Sequence, residues 1–537
     1  MKYVYDYLGR VEQIVYPDGE EVGYYYDWGG QVNRVLGQRD GVTFEYVRNI
    51  GYDEQGRRSY IEYGNGVTTA YSYNEERGWL DSIHTMNSDG KVFQNISYTF
   101  NKVGNLKRLE NRGTDKTVTQ TYDYNDLYEL TYAHGRYVDD SGDNGSLHVE
   151  HEYTQTFSYD PIGNMLSKTS SNSKTPGNVG SLLNYDYTYD YDPERAHRVQ
   201  RIGDYEYTYD AGGNTIMIKH AVTGYVADEQ HNAAAAGGSP TDDATHGSAP
   251  GQFTDIEPEG STNTQCDVKR YEWDDENRLT DAYSGGKHTL FAYDAGGERT
   301  VKYSERGETV YVDKMYQLQV SNNPVTITKH IFVGATRIAS KVSSEGGFAA
   351  SETRSIYYYH GDHLGSSNFV TDCDGEEYEH VEYTPYGETW IDEGRDTLER
   401  INYLFTSKEL DTETGLYYFG ARYLDPQTSR WLSSDPLMDG QNWYGYANNN
   451  PIKYIDPNGL FTERNETSGT VTKDDTLSEI TANHNKKYKT NFDYNDIAKL
   501  NGINDPDIIK PGQKIKFPES KKGNRIGDTY FLYNYKT

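Results

Sequence analysis

Two aspartates near the end of the chain have the residue type and the sequence context for acid–base chemistry. Asp435 lies in SSDP and Asp456 lies in DPNGL, and a proline follows each aspartate directly. Two carboxylates that share one proton can activate a water molecule while the protonated partner polarises a carbonyl group. An aspartate before a proline also opens turns, so the second interpretation gives both residues a structural role only.

The stretch HGDHLGS suggests a different chemistry. His360, Asp362 and His363 fall within four residues and could form the corner of a metal site. Because no further ligand that would complete such a site is evident, we expect a structural role and no metal. The chain contains no glycine-rich phosphate loop, no HExxH and no GxSxG element, so we also expect no cofactor.

The elements that must position these residues come from a repeat. Its unit is an aromatic-x-aromatic-Asp/Asn step, followed by a glycine and then by alternating apolar and polar residues. The repeats are YVYDYLGRV (3–11), YYYDWGGQV (24–32), GYDEQGR (51–57), YSYNEERGWL (71–80), YTFNKVGNL (98–106), FSYDPIGNML (157–166), YTYDAGGNTI (207–216), YEWDDENRL (271–279) and FAYDAGGER (291–299).

Each repeat predicts a strand, a turn and a second strand. Tyrosines at period two cover one face of a strand, the Asp or Asn side chain opens the turn, and glycine adopts the positive φ. The composition agrees, since the chain has 53 Tyr and 53 Gly in 537 residues. One hairpin cannot bury its own face, so the units must stack. We therefore predict a mainly β protein with an antiparallel repeat sheet and little helix.

The charge is uneven along the chain. The net charge is −31, while residues 461–537 carry 13 Lys and Arg against 11 Asp and Glu, which leaves 39 against 72 in residues 1–460. An acidic body of this size repels nucleic acid and anionic membrane surfaces, so we expect neither as a partner.

The compartment must be inferred from weak signals. Cys266 and Cys373 have no metal-ligand spacing and are predicted to be unpaired rather than joined as a disulfide. No apolar run reaches the ~20 residues of a membrane span, and Met1 does not open a secretory leader. We expect a secreted or cell-surface bacterial protein whose export signal lies in a missing upstream region.

These repeats resemble the YD/RHS repeat family over about 1–460. Within 356–460 four ordered stretches resemble the RHS repeat-associated core domain: IYYYHGDHLGSSNFVTDCDG, VEYTPYGE, YLFTSKELDTETGLYYFGARYLDPQTSRWLSSDP and NWYGYANNNPIKYIDPNGL. The resemblance implies a sheet wound into a hollow, at least partial, shell, with repeats in 1–355 and the core domain in 356–460. Residues 228–263 lack the aromatic step and are predicted to be a disordered or surface-loop insertion.

The family resemblance also bears on the composition break after Leu460. In the family the closing DPxGL motif bounds a variable C-terminal domain, and several members cut themselves after its leucine by an aspartyl mechanism. That implies Asp435 and Asp456 as the catalytic pair, with Arg430 to position or tune a carboxylate and Asp439 in reserve, and Phe461 as the new N-terminus. DPLMDGQNW departs from the usual glycine-rich stretch between the motifs, and the alternative is a passive boundary. No other enzymatic activity is evident.

The segment 469–518 has its own pattern. DDTLSEITANH and FDYNDIAKLNG each predict a capped helix, and VTK and QKIKFP predict short flanking strands, which gives a β-α-α-β order. With LNGINDPDIIKPGQKIKFP at its close, this segment resembles the LysM domain, and we place the domain with a short linker in 461–518. Residues 519–537 form a tail that is either a final strand or a stub.

The LysM resemblance implies binding of N-acetylglucosamine glycans such as peptidoglycan or chitin. Backbone amides on tight loops would bind the N-acetyl group beside apolar side chains. Asp474 replaces the usual glycine. The groove residues implied by the resemblance are Asp475, Thr476, Leu477, Asn501, Gly502, Ile503, Asp507, Ile508 and Ile509. Core packing is the alternative for Leu477 and Ile508.

Three functions follow as hypotheses. In the first, the chain is the C-terminal part of a secreted or surface shell that cuts itself after Leu460, with its own C-terminal segment as substrate and a glycan as partner. In the second, it is an uncut structural or adhesive wall protein. In the third, it is a polymorphic-toxin delivery shell with a non-enzymatic tip.

Overall fold

A computed structural model describes most of the chain. The described residues are 1–141, 148–173, 183–220, 268–394, 402–437, 442–460 and the strand residues 463–464, 514–516 and 529–531. The predicted insertion 228–263, Cys266, Asp439 and the LysM groove residues lie outside them. Cys373 is a half-buried free thiol.

Eighteen strands lie in the described residues before the segment 221–267. They are β1 (Lys2–Tyr5), β2 (Val11–Val15), β3 (Glu21–Tyr26), β4 (Val32–Arg39), β5 (Val42–Tyr52), β6 (Arg58–Tyr63), β7 (Thr68–Tyr73), β8 (Leu80–Met86), β9 (Val92–Phe100), β10 (Leu106–Arg112), β11 (Lys116–Tyr124), β12 (Leu130–Asp139), β13 (Val149–Tyr159), β14 (Met165–Asn172), β15 (Tyr185–Tyr191), β16 (Val199–Ile202), β17 (Tyr205–Tyr209) and β18 (Thr215–His220).

Twelve further described strands continue the same sheet after that segment. They are β19 (Val268–Trp273), β20 (Leu279–Ser284), β21 (Lys287–Tyr293), β22 (Arg299–Ser304), β23 (Gly307–Asp313), β24 (Tyr316–Gln319), β25 (Thr326–Val333), β26 (Thr336–Ser344), β27 (Ile356–Gly361), β28 (Ser367–Thr371), β29 (Glu377–Tyr383) and β30 (Thr389–Gly394).

The remaining described elements are short. They are helix α1 (Ala349–Glu352), 3₁₀ turns at Phe405–Ser407 and Ala447–Asn449, and strands β31 (Glu409–Asp411), β32 (Leu416–Tyr418), β33 (Tyr423–Asp425), β34 (Arg430–Trp431), β35 (Tyr454–Ile455), β36 (Glu463–Arg464), β37 (Lys514–Lys516) and β38 (Thr529–Phe531). No helix among the described residues is long and apolar enough to cross a membrane.

Each strand from β1 to β29 pairs antiparallel with the next in sequence, so β1–β30 form one thirty-stranded sheet. The predicted mainly antiparallel β fold is confirmed. The register shifts by one residue where the aromatic step leaves the strand, for example between Ser72 and Tyr73 and between Asp123 and Tyr124. Such bulges bend the strand and increase its twist, which helps a long sheet to wind.

The repeat turns form as the sequence predicts. In the first turn, Asp6 Oδ1 accepts hydrogen bonds from the backbone amides of Leu8 and Arg10, each at 2.9 Å. Gly9 closes the turn at φ 78°, a conformation that costs glycine nothing. The Asp and Gly of the repeat are therefore turn residues.

The tyrosine directly before the Asp or Asn of the aromatic step links one hairpin to the hairpin before it. Its hydroxyl donates to the backbone carbonyl of the first residue of the preceding strand. These bonds are Tyr26 to Val11 (2.6 Å), Tyr52 to Val32 (2.7 Å), Tyr73 to Arg58 (2.9 Å), Tyr124 to Leu106 (2.7 Å), Tyr159 to Leu130 (2.8 Å), Tyr191 to Met165 (2.9 Å) and Tyr293 to Leu279 (2.7 Å). Sequence reasoning assigned these tyrosines to packing alone and missed the link.

The sheet winds until its first strands face its late strands. The Tyr358 hydroxyl in β27 donates to the Glu45 carbonyl in β5 at 2.6 Å. Deeper in this seam, Lys341 Nζ lies 2.6 Å from Glu20 Oε2 and 2.9 Å from Glu352 Oε2, and all three side chains are buried. Buried charges require such partners, because an unpaired one would cost several kcal/mol.

The described residues 402–437 and 442–460 fill the space inside the wound sheet. Buried Lys168 in β14 donates to the Gln427 carbonyl at 2.8 Å. Arg299 in β22 lies 2.7 Å from both Glu409 and Asp411. The last two core-domain motifs thus form a plug that is anchored to the wall by charged hydrogen bonds, whereas the first two motifs lie in β27–β30 of the wall.

We predict that Tyr73→Phe lowers the free energy of unfolding by about 1 kcal/mol, the usual net value of one hydrogen bond. The change keeps the ring and removes only the donor to the Arg58 carbonyl. Urea denaturation followed by tyrosine fluorescence measures the difference. The control is Tyr7→Phe, since Tyr7 is 93% exposed. Equal midpoints for both variants would contradict the proposed role of the link.

Candidate functional site

The closing segment, described in 430–437 and 442–455, runs along the rim of repeat turns and binds their backbone carbonyls. These hydrogen bonds are Ser434 Oγ to Gly212 O (3.3 Å), Asn442 Nδ2 to Gly163 O (3.1 Å), Tyr444 Oη to Gly213 O (2.7 Å), Asn449 Nδ2 to Gly163 O (2.9 Å), Asn450 Nδ2 to Tyr128 O (2.8 Å) and Lys453 Nζ to Val103 O (3.2 Å). The polar residues of YGYANNNPIKY therefore fix this segment against several repeats at once.

At the end of this segment, one arginine contacts both candidate aspartates. Arg422 Nη2 lies 3.0 Å from Asp456 Oδ2 and 3.4 Å from Asp435 Oδ2. All three side chains are buried: Arg422 is 3% exposed, Asp456 1% and Asp435 5%. The guanidinium also lies 4.3 Å from the ring centre of Trp431, which fixes its plane. The structure thus brings the two predicted carboxylates together on one nitrogen atom.

Asp456 organises the DPNGL loop with its other oxygen. Its Oδ1 accepts hydrogen bonds from the backbone amides of Asn458 at 3.2 Å, Gly459 at 2.7 Å and Leu460 at 3.2 Å. Gly459 has φ 75°, and a Cβ there would lie 2.9 Å from the Arg422 amide nitrogen. A glycine is therefore required at this position, both for its positive φ and because the Arg422 backbone lies too close for a side chain.

The carbonyls of the loop are held as closely as its amides. Lys408 Nζ donates to the Pro457 carbonyl, the Ala421 amide donates to the Asn458 carbonyl at 3.0 Å, and Arg422 Nε donates to the Gly459 carbonyl. The next carbonyl in the chain is that of Leu460. Phe461 lies outside the described residues, but β36 pairs antiparallel with β35, so the chain turns back after the loop.

Both sequence interpretations of the aspartates have a geometric counterpart. Asp435 Oδ1 accepts from the Leu437 amide at 2.8 Å, so each aspartate opens a turn with Oδ1 and meets Arg422 with Oδ2. A guanidinium between two buried carboxylates offsets their mutual repulsion. Two carboxylates held in this way beside a peptide bond have the composition of an aspartyl hydrolytic site.

The arginine that contacts the pair is not the one proposed from sequence. Arg430 Nη2 donates to the His197 carbonyl at 2.7 Å and Nη1 to the Tyr191 hydroxyl at 3.1 Å, so its guanidinium binds the shell wall. Sequence reasoning missed Arg422, although it lies in the quoted motif GARYLDP. Its neighbour Gly420, whose Cβ would lie 3.1 Å from the Asn458 carbonyl, is the signal that could have indicated close approach.

The HGDHLGS stretch has structural contacts. His360 Nε2 pairs with Thr371 Oγ1 at 2.9 Å, and burial lowers the pKa of His360 to about 3. His363 Nε2 donates to the Ile452 carbonyl at 3.0 Å. Asp362 accepts the Leu364 and Ser366 amides, as in a repeat turn.

Glu377, His380 and Glu393 come close enough together for a metal ion among the described residues. Lys116 Nζ already contacts both glutamates, at 2.9 Å for Glu393 Oε2. Burial opposes the charge on His380, but hydrogen bonds to Glu382 and Glu393 raise its pKa to about 9. The cluster therefore carries its own cations and is an ion-pair network.

The predicted glycan groove lies outside the described residues. In the described part of this region, β37 pairs antiparallel with β38. Residues 529–531 of the tail thus form a strand, one of the two alternatives for 519–537.

Comparison with known proteins identifies the family. The teneurin YD-shell family model matches residues 85–452. This chain belongs to the teneurin YD-shell family. The LysM domain model matches residues 470–518, so the YD shell is followed by a LysM domain.

Two relatives illustrate where such shells occur. Toxin subunit YenC1 of Yersinia entomophaga is 27% identical over 481 residues, which cover 80% of this chain and 44% of the relative. The tRNA nuclease WapA of Bacillus subtilis strain 168 is 26% identical over 426 residues, covering 76% of this chain and 14% of the relative. The chain thus spans less than half the length of these curated relatives.

Solved structures agree with the YD-shell fold. The crystal structure of TcdB2-TccC3-TEV superposes with a TM-score of 0.63 at 21% identity, over 85% of this chain and 21% of that one. TcdB2-TccC3-Cdc42 gives a TM-score of 0.60 at 22% identity, over 85% and 21%. At these identities the likeness establishes the fold.

We predict that Arg422→Met lowers the free energy of unfolding by about 3–5 kcal/mol, because two buried carboxylates lose their shared counter-charge. Urea denaturation of chains that end at Leu460 measures the loss without interference from any cutting. Arg108→Met is the control, since Arg108 is exposed and its ion pair with Glu110 contributes little. A loss as small as that of the control would mean that Arg422 does not balance the pair.

Proposed function

We propose that this chain is the closing part of an RHS/YD-repeat shell that cuts its own backbone after Leu460, and that its LysM domain binds N-acetylglucosamine glycans. The observation that carries the first half is the contact of Arg422 with Asp435 and Asp456. It holds two carboxylates at the loop whose last described residue is Leu460.

The proposed reaction is hydrolysis of the Leu460–Phe461 peptide bond. One carboxylate takes a proton from water while the other, in its protonated form, passes its proton to the Leu460 carbonyl oxygen as the water oxygen bonds to the carbonyl carbon. As the bond to the Phe461 nitrogen breaks, that nitrogen takes up the proton removed from water, and a hydroxyl of the tetrahedral intermediate returns a proton to the other carboxylate. Arg422 stabilises the single negative charge that the pair keeps throughout.

Loop geometry supports this assignment because it leaves little freedom at the bond. The amide of Leu460 is bound by Asp456, and the three carbonyls before Leu460 each have a donor. Holding a reacting bond beside its catalytic groups is a large part of catalysis. The alternative is a passive boundary, in which both aspartates serve the turns alone.

We predict that the purified full chain yields two fragments, 1–460 and 461–537, and that Asp435→Asn and Asp456→Asn each abolish the cut. Each amide keeps the side-chain shape but removes one member of the acid–base pair. Gel electrophoresis and N-terminal sequencing of the small fragment measure the outcome.

Two arginine variants make this test specific. Arg422→Lys should slow cutting strongly, because an ammonium cannot bridge both carboxylates and the Gly459 carbonyl. Arg430→Lys should cut at the wild-type rate if Arg422 is the positioning residue. The reverse pattern would restore the role first assigned to Arg430, and a wild-type chain that stays intact from mildly acidic to neutral pH would favour the uncut wall protein.

The relatives suggest the biological setting of the proposed shell. They are named as a toxin subunit and a tRNA nuclease, and both align with this chain over more than three quarters of its length. Here that region is followed by a LysM domain. We therefore place the protein outside the cell or at its surface, as a toxin-type shell that carries a glycan-binding domain.

The glycan proposal rests on the LysM match over 470–518. The implied groove runs between Asp475–Leu477 on one side and Asn501–Ile503 and Asp507–Ile509 on the other. A shallow site on short loops gains little apolar burial, so a few sugar units should bind with roughly micromolar to millimolar affinity.

We predict that the full chain co-sediments with insoluble peptidoglycan or chitin but not with cellulose, which lacks the N-acetyl group. A chain that ends at Leu460 is the matched control and should remain in solution. Thr476→Glu with Ile508→Glu should remove binding while circular dichroism is unchanged. Equal retention on cellulose, or none on either N-acetylglucosamine polymer, would contradict the proposal.

A further inference from the structure

Lys408 is a half-buried lysine whose ammonium reaches the DPNGL loop. Its Nζ donates to the carbonyl of Pro457, the residue directly after Asp456. It also lies 5.3 Å from the ring centre of Phe419. In the described part of the site, Lys408 is therefore a second cation beside Arg422.

The backbone around Lys408 is fixed independently of the loop. Its amide donates to the Phe405 carbonyl at 2.9 Å, and its carbonyl accepts from the Leu404 amide at 2.9 Å. Arg337 Nη1 donates to the Ser407 carbonyl at 3.2 Å. The 3₁₀ turn Phe405–Ser407 thus gives the lysine a rigid base, so its side chain can position the loop rather than follow it.

We propose that Lys408 is a positioning residue for self-cleavage, holding the Pro457 carbonyl so that Asp456 and the Leu460 peptide bond stay in register. This inference rests on the proposed cutting reaction. Lys408 binds the Pro457 carbonyl and Arg422 binds the Gly459 carbonyl, so the loop is held by a cation on each side of Asn458. Lys408 does not touch the reacting atoms in this scheme.

The charge on Lys408 makes the clamp dependent on pH. Burial lowers the pKa of Lys408 to about 8, with Asp456 and Glu298 opposing the shift and Arg337 and Lys314 adding to it. Below this pH the ammonium makes a charge-assisted bond to the Pro457 carbonyl and faces Asp456. Above it, the neutral amine is a weaker donor and Asp456 loses a counter-charge. Cutting should therefore slow as pH rises through about 8.

The test follows the rate of cutting against pH. Full chains tagged at both ends are purified unfolded, so that only uncut molecules are retained, and are refolded by dilution at pH 6 to 10. Wild type should cut about tenfold more slowly at pH 9 than at pH 7, in proportion to the charged fraction of a group with this pKa. Refolding of Asp456→Asn, measured by circular dichroism at each pH, corrects for any effect of pH on folding.

Two Lys408 variants separate positioning from general stability. Lys408→Met should cut at least tenfold more slowly at pH 7 and lose the alkaline decline. Lys408→Arg should retain most of the cutting at pH 7 and keep it at pH 9, because arginine stays charged. Lys453→Met, which removes a lysine that binds the Val103 carbonyl on the rim, should keep the alkaline decline whatever its rate.

The outcomes for the reaction and for Lys408 are distinguishable. If wild type stays uncut at every pH, the cutting reaction itself is wrong. If wild type cuts and Lys408→Met shows the same rate and pH profile, the reaction stands and the role of Lys408 is wrong. An alkaline decline that persists in Lys408→Arg would also overturn that role.

Discussion

The hydrogen bond from a tyrosine hydroxyl to the backbone of the preceding strand recurs along the YD shell and, together with the backbone ladders, joins each hairpin to the one before it. A two-stranded hairpin is only marginally stable in water, and its bulge leaves backbone groups without a ladder partner. Tyr73 and its counterparts satisfy such a carbonyl and join each hairpin to the last.

A sheet built in this way must still close on itself in one register. The seam between early and late strands contains Glu20 and Glu352, which both contact Lys341. Buried ion pairs add little net stability compared with apolar packing, but an unpaired buried charge is costly. The ion pairs therefore favour the alignment of the seam in which Lys341 meets both glutamates.

The plug and the closing segment connect this architecture to the candidate chemistry. Asn450 and Lys453 bind turns that belong to different repeats, and the chain then enters the DPNGL loop directly. Asp435 and Asp456 meet on Arg422 in this folded arrangement. The proposed cleavage site therefore combines residues that only the tertiary structure brings together.

The sequence by itself determined the strands and the turns, because period-two patterning and Asp or Gly turn chemistry act through neighbouring residues. It also indicated the change in composition after Leu460 and singled out Asp435 and Asp456 by their motifs. It did not determine which arginine would meet them. Arg422 and Arg430 stand in one motif, yet Arg422 meets Asp456 while Arg430 meets Tyr191 and His197 of the shell wall. The ion pair of Lys329 with Glu20 likewise joins residues 309 positions apart. Such contacts depend on twist accumulated over many strands, which no local pattern encodes.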